Sequence, residues 1–368
     1  MPNGPEVVEL ARIWRGPVVE SLHHGVVCVA DTSGTYRHAW GDPGWAAPPR
    51  SSLKPFQAVA LVESGAADAL GLTDEHIALA CASHWAEPFQ VALIGDWLGR
   101  LGLTEEALVC GPALPRGVAD QGTAWAHGGP RRIFHNCSGK HCGFLSVAKH
   151  MGAGLDYANP AHPAQKLYRD ILSELTGLDA DALPYAGDGC GLPAVALPIG
   201  AMAKAAARFA VGQAVTAERR AAMRRVMNAM IAYPDHLAGK DSPTARLIRY
   251  CDGNVVVKGG AEGYLVGFVR DRGLGIVVKV ADGDSSGRAK LGVMARILGR
   301  VHALATDDAE LLVAAVEPAI ADSNGKEVGR VEVTIQRPAP TTPTKASLGF
   351  WLSGTPVEGI EEYLPKLS

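Results

Sequence analysis

A serine and a lysine three residues apart are the sharpest chemical signal in this chain. In Arg50-Ser51-Ser52-Leu53-Lys54-Pro55 both side chains lie at i and i+3 of a first helical turn and so share one face. A serine hydroxyl is a poor nucleophile until a base takes its proton. A lysine can be that base once desolvation or a nearby cation lowers its pKa, and a helix N-terminus favours the negative charge that develops. A capping serine followed by an exposed lysine is the plainer account of the same residues. A second group, Cys81-Ala82-Ser83-His84-Trp85-Ala86-Glu87-Pro88, places Ser83, His84 and Glu87 between two helical segments. A helix end followed by an N-capped start competes with a functional role there.

Metal-binding donors crowd into His135-Asn136-Cys137-Ser138-Gly139-Lys140-His141-Cys142-Gly143. His135, Cys137, His141 and Cys142 are ligand types, and Cys190, in Gly187-Asp188-Gly189-Cys190-Gly191, can add another from a distant loop. With no C-x-x-C spacing and no second knuckle, a zinc finger is not indicated, and small buried cysteines around a glycine-rich turn are the competing account. Lys258-Gly259-Gly260-Ala261-Glu262-Gly263 sets a lysine and flexible backbone at a strand end, where a solvated hairpin is the alternative. The Ser51/Lys54 spacing is that of the S-x-x-K motif of penicillin-recognising enzymes. Their K-T-G strand is matched only loosely at Lys258, because Gly259 replaces the threonine.

The elements that must position these residues fall into three blocks. Apolar runs at Val7–Ile13, Val18–Leu22, Val26–Ala30 and Tyr36–Trp40, separated by turn signals that include His23-His24-Gly25, predict a β-meander. Helical spacing follows from Leu53 to about Gly65, then over His76–Cys81, Phe89–Leu101, Gly139–Met151, His162–Leu175 and Ala217–Ala232. Strands return at Val255–Lys258, Gly263–Val269 and Leu274–Val280. Helices over Arg288–Leu304 and Asp307–Val316 and a strand over Val328–Gln336 complete the pattern. Strands at both ends around a helical middle predict an α+β protein with a mainly antiparallel sheet and a helical subdomain. The expected organisation is one catalytic unit over residues 1–337, with sheet segments 1–50 and 252–337 and a helical middle 51–251, followed by a Pro/Thr-rich linker and tail over 338–368.

Composition narrows the partners. A net charge of −3 lacks the basic excess that phosphate-backbone binding demands, so no nucleic acid is expected. No apolar run is long enough to span a bilayer, and MPNGPEVVEL has neither a basic n-region nor an apolar h-region; a cytoplasmic location, away from membranes, is the expectation. Seven scattered cysteines fit a reducing compartment better than a disulfide framework.

Taken together, Arg50–Pro55, Cys81–His84, His135–His141, Gly187–Gly191 and Lys258–Gly263 stand in the order and spacing of the rhizobial-type L-asparaginases (asparaginase II family), which the chain resembles over about residues 7–337. The resemblance implies a fold similar to serine β-lactamases and serine glutaminases. It implies Ser51 as nucleophile with Lys54 as its base, Ser83 with Lys258 as a second Ser-Lys pair, a zinc ion held by Cys137, Lys140 and Cys190, and a homodimer. Trp85-Ala86 departs from the smaller, glycine-like residue expected after the Ser-His pair. The expected reaction is attack of Ser51 on the side-chain amide of L-asparagine, release of ammonia and hydrolysis of the acyl-enzyme. By charge, Arg50 suits the substrate carboxylate and Asp188 its ammonium; His84, Asn136 and Glu262 are the other expected substrate contacts. A penicillin-recognising serine hydrolase and a non-catalytic metal- or ligand-binding sensor are the alternatives.

Overall fold

The computed structural model describes residues 4–335 apart from 241, 305–307, 310 and 314–318. Strands β1 (Val8–Arg15), β2 (Val18–Asp31) and β3 (Tyr36–Trp40) open the chain. Four short strands, β4 (Ala46–Ala47), β5 (Tyr185–Gly187), β6 (Pro193–Val195) and β7 (Leu197–Pro198), lie within or beside the helical middle, and β8 (Val255–Gly259), β9 (Tyr264–Val269), β10 (Leu274–Val280), β11 (Ile320–Ala321) and β12 (Glu327–Val333) follow it. The strands before and after the helical middle meet in one sheet of order β11-β12-β1-β2-β10-β9-β8, with β3 also on β2. Every pairing in it is antiparallel. The α+β architecture with an antiparallel sheet is as the sequence predicts.

The helices are α1 (Lys54–Glu63), α2 (Ala66–Ala69), α3 (Asp74–Ala80), α4 (Pro88–Leu101), α5 (Val118–Ala126), α6 (Ser138–His150), α7 (Pro163–Thr176), α8 (Ile199–Val211), α9 (Ala217–Ala232), α10 (Pro243–Tyr250) and α11 (Lys290–Arg300). Of the expected helix over 307–316, residues 308–309 and 311–313 are described and helical; the tail over 338–368 lies outside the described residues.

His23-His24-Gly25 is not the turn that its residue types suggest. Strand β2 runs through it, carrying β1 on one edge of its first half and β10 on its other edge beyond. Gly25 is needed there for proximity, since a Cβ would stand 2.1 Å from the carbonyl oxygen of Lys279.

The inner strands β9 and β10 are buried along their whole length, which requires cover on both faces. Two glycines show where that cover comes from. A side chain on Gly275 would overlap the backbone of α8 at Ala203, and one on Gly267 would meet Met294 of α11. Gly275 pairs with Phe268 and Gly267 with Ile276, so the two glycines point to opposite faces. The sheet is thus sandwiched between α8 and α11. On the α8 side Phe56 of α1, Phe209 of α8 and Phe268 of β9 form an aromatic cluster with centroids 5.1–6.0 Å apart, which ties the helix bearing Lys54 to the sheet bearing Lys258.

Candidate active site

Four segments converge where α1 begins. Arg50–Leu53 winds as a 3₁₀ turn directly into α1, whose first residue, Lys54, is fully buried. Its amine donates to the carbonyl oxygen of Ala82, to Ser83 Oγ at 3.2 Å and to the carbonyl oxygen of Asn136 at 3.3 Å. Lys258, 2% exposed at the end of β8, reaches the same hydroxyl: its Nζ lies 3.0 Å from Ser83 Oγ and 2.7 Å from the carbonyl oxygen of Gly259. Ser83 therefore bridges two buried lysines. Ser51 Oγ, partly exposed, has no hydrogen-bond partner among the described residues, Lys54 included. The lysine that the spacing assigns to Ser51 turns inward to Ser83 instead.

Two ammonium groups cannot comfortably share one hydroxyl in a buried space. Burial, reinforced by the charge of Lys54, holds Lys258 well below the usual lysine range; burial also lowers Lys54, although Cys137 opposes that. A lysine amine kept neutral can accept a proton.

Local backbone explains how the segments approach so closely. Ser52 Oγ donates to the carbonyl oxygen of Lys258 at 2.9 Å, fastening the 3₁₀ turn to β8. Gly260 lies against that turn: a Cβ would stand 2.3 Å from the carbonyl oxygen of Pro49. Three of the non-glycine residues with left-handed backbone flank the site, Arg50 (φ +52°), Ala86 (φ +59°) and Glu262 (φ +55°). Each such conformation costs about 1–3 kcal/mol and is held by its surroundings. Ala86 thus adopts the backbone that a glycine would, at the position where a glycine-like residue is expected from the sequence.

The Ser83 loop is strapped by residues that the sequence does not single out. Ser83 N–H donates to the carbonyl oxygen of Leu237 and Trp85 N–H to that of Ala238, while Gly239 lies against the Trp85 ring. Trp85 in turn carries the Arg116 guanidinium 4.5 Å from its ring centroid. His84 is buried, with Nε2 2.7 Å from Ser138 Oγ and Nδ1 accepting from Ala86 N–H. Because Ser138 Oγ itself donates to the carbonyl oxygen of Ile133, the imidazole is neutral with its proton on Nε2. Burial lowers its pKa to about 3. Both its nitrogens are spent on the protein, so it braces the loop. No sequence signal marks Ser138, Leu237 or Gly239 as partners of this loop, because they come from segments distant in the chain.

Of the other expected substrate contacts, Arg50 and Asp188 come together as an ion pair, with Nε at 2.7 Å and Nη2 at 2.6 Å from Asp188 Oδ1. Asn136 is exposed beside Lys54, its side-chain amide within 3.0 Å of Cys137 Sγ. Glu262 is exposed at the β8–β9 turn, where its carbonyl oxygen accepts from Lys279.

The β5–β6 hairpin carries Asp188–Gly191 at its tip and brings Cys190 to the N-terminal turn of α6. Lys140 Nζ lies 3.0 Å from Cys190 Sγ, and Cys137 lies close enough to act electrostatically on both. All three are buried. Within the thiol pair the charge belongs to Cys137, drawn well below the usual thiol range by the Cys190 thiol and by Lys54 and Lys140; Cys190 is pushed up by Cys137 and by burial. Among the described residues no group of three or more His, Cys, Asp and Glu side chains is placed to hold a metal. Counted with Lys140, however, two thiols and an amine lie together, a donor set whose chemistry suits zinc. The seven cysteines are all unpaired and buried.

The L-asparaginase II family profile matches residues 11–333. The chain belongs to that family. No curated protein matches the chain. Among solved structures it is similar to Mglu, with 16% identity and a TM-score of 0.44 over 75% of this chain and 66% of that one. It therefore spans just under two thirds of the length of that protein. It is also similar to a beta-lactamase from Mycobacterium bovis, with 12% identity and a TM-score of 0.42 over 78% of this chain and 96% of that one. Among the described residues no helix is long and apolar enough to cross a membrane. The family favours neither a penicillin-recognising enzyme nor a non-catalytic sensor.

Proposed function

We propose that this protein hydrolyses L-asparagine to L-aspartate and ammonia through Ser51, served by a proton relay of Lys54, Ser83 and Lys258. The observation that carries the reading is the Ser83 hydroxyl bridging two buried lysines directly beside the turn that presents Ser51. Ser51 Oγ attacks the amide carbon and its proton enters the relay at Lys54. Ser83 and Lys258 return a proton to the departing nitrogen, which leaves as ammonia. Backbone N–H groups of the 3₁₀ turn stabilise the oxyanion, and water then hydrolyses the acyl-enzyme with the relay again holding the proton.

The Arg50–Asp188 pair presents, side by side, the two charges that the head of an amino acid needs. Cys137, Lys140 and Cys190 would hold the zinc ion; bound there, it supplies Lewis-acid charge that orients the substrate. Lys140 must lose its proton to ligate, and without the metal Cys137 and Cys190, outweighing burial, keep it above the usual lysine range.

The test is ammonia release from L-asparagine and from L-glutamine by the purified chain, with and without added zinc, beside Ser51→Ala. Serine-dependent release from asparagine is the expected result. A Ser51→Ala variant that kept most of the activity would show that Ser51 is not the nucleophile.

A further inference from the structure

A surface cavity opens at the Leu274–Asp31 end of the sheet. It measures about 510 Å³, within the range of small-molecule sites, and is lined by residues from β2, β3, the β9–β10 turn and the C-terminus of α11. Leu274 on its wall pairs with Val269 and Asp31, whereas Lys258 pairs with Val266, which stands opposite Val277 of β10. The two are three residues, roughly 10 Å, apart along β10 and two strands apart across the sheet.

Its charge is one-sided. Among the described residues Arg37, Arg272 and Arg300 face it with His38 and His302, against the single carboxylate of Asp31. That carboxylate is already spent. One oxygen accepts from Ser33 N–H, Ser33 Oγ and Thr35 N–H, and the other pairs with Arg37 at 2.8 Å. Neither Arg272 nor Arg300 has a carboxylate partner among the described residues. Both are nevertheless fixed. Arg272 Nε donates to the carbonyl oxygen of His302 at 3.0 Å, and the Arg300 guanidinium lies 5.2 Å from the centroid of the Trp40 ring, which also stacks on His38 at 5.5 Å.

His302 adds a second sign of a built site. It follows the last turn of α11 in left-handed backbone (φ +54°), the place where a helix most cheaply ends on glycine. A histidine there puts an imidazole on the rim of the cavity instead.

Two pre-positioned guanidinium forks without counter-charge match a dianion, and a monocarboxylate would leave one of them uncompensated. We propose that this cavity is a binding site for a small molecule carrying a phosphate or diphosphate group. The site is independent of the amide chemistry, and its test reads binding, not ammonia release.

The test is calorimetric titration of the full chain with inorganic pyrophosphate, ADP and L-aspartate at 150 mM NaCl, for the wild type, Arg272→Gln, Arg300→Gln and Arg300→Lys. Saturable binding of pyrophosphate or ADP is expected, weakened roughly tenfold or more in Arg272→Gln and Arg300→Gln. Arg300→Lys, which keeps the charge and a stem over Trp40, is expected to bind with intermediate affinity, and so separates loss of the guanidinium fork from loss of the fold. Equal affinity of pyrophosphate and ADP assigns the site to the anion alone; tighter ADP binding means that the rest of the cavity holds an organic part. Binding unchanged by both glutamine variants, no saturable binding of either phosphate compound at this salt, or tighter binding of L-aspartate would each overturn the proposal.

Discussion

The amine of Lys258 stands 3.0 Å from the hydroxyl of Ser83, although 175 positions separate them in the chain. At 2% exposure Lys258 has little water to stabilise its charge, and Lys54 faces the same hydroxyl, so burial first and the neighbouring cation second favour a neutral amine. A base must be unprotonated to work. Its lowered pKa therefore moves the acid limb of kcat/KM down from the ordinary lysine value near 10.5, and activity rises with pH through that lower limb. Lys258→Arg keeps a positive charge but removes the base, and is expected to lose roughly 10²–10⁴-fold in kcat. The check is the pH profile of ammonia release. A wild-type limb that appears only above pH 10 would show an unperturbed lysine and end this reading.

Ser51 and Ser83 should differ in kind. Ser51→Ala removes the bond-forming atom, so covalent labelling and turnover should both vanish. Ser83→Ala removes a relay hydroxyl held by Lys54 at 3.2 Å and Lys258 at 3.0 Å, so turnover should fall roughly 10²–10⁴-fold while Ser51 still acylates slowly. Mass spectrometry of the chain after incubation with an acylating amide analogue separates the two. An adduct on Ser83 in the wild type would reverse the roles.

Asp188 is the expected partner of the substrate ammonium, held in place by Arg50. Asp188→Asn should raise KM for L-asparagine roughly 10–100-fold, the scale of one lost charged hydrogen bond. For succinamate, which lacks the ammonium group, KM should change little. A parallel rise for both substrates would point to a collapsed loop at Cys190 instead of lost recognition.

Gly260 is the narrowest joint of the site. A Cβ there would stand 2.3 Å from the Pro49 carbonyl oxygen and 2.9 Å from Ser52 Oγ. Backbone must give way, so Gly260→Ala should cost about 1–3 kcal/mol in stability and push β8 away from the 3₁₀ turn. Activity should fall further than stability accounts for, because Lys258 moves with the strand. Chemical denaturation beside ammonia release at full folding tests this; an active, equally stable variant would show that the turn yields freely.

Much of this site can be read from the sequence because its residues sit in short, chemically dense segments. Ser51, Lys54, Ser83 and Lys258 are each visible as candidates, and the strands from Val255 to Val280 stand out as β-branched runs between clear turns. Helix α8 is not visible in the same way. Its sequence, IGAMAKAAARFAV, is dominated by alanine and has few large apolar residues to mark a face, since the helix packs at backbone distance on Gly275. Nor does spacing reveal that Lys54 turns toward Ser83, because that depends on the Leu237–Gly239 strap and on the Asn136 carbonyl, which only the folded chain brings near.

His84 gives the site a pH-dependent weakness of its own. Burial lowers its pKa from 6.5 to about 3. In the unfolded chain the imidazole takes a proton below about pH 6.5, whereas in the folded protein it stays neutral until about pH 3. Within that window the unfolded state binds more protons, so stability is lost as pH falls, by up to about 1.4 kcal/mol per unit from this residue. His84→Gln removes the titrating group yet can still donate toward Ser138 Oγ and accept from Ala86 N–H, the two bonds that the imidazole makes. The variant should be less stable than the wild type at pH 7, where packing is lost and nothing is gained, and the gap should narrow steadily as pH falls toward 4. Unfolding free energies from urea titrations at several pH values in this range give both slopes. Parallel slopes would mean that the imidazole is protonated in the folded state, and its role as a neutral brace for the Ser83 loop would have to be abandoned.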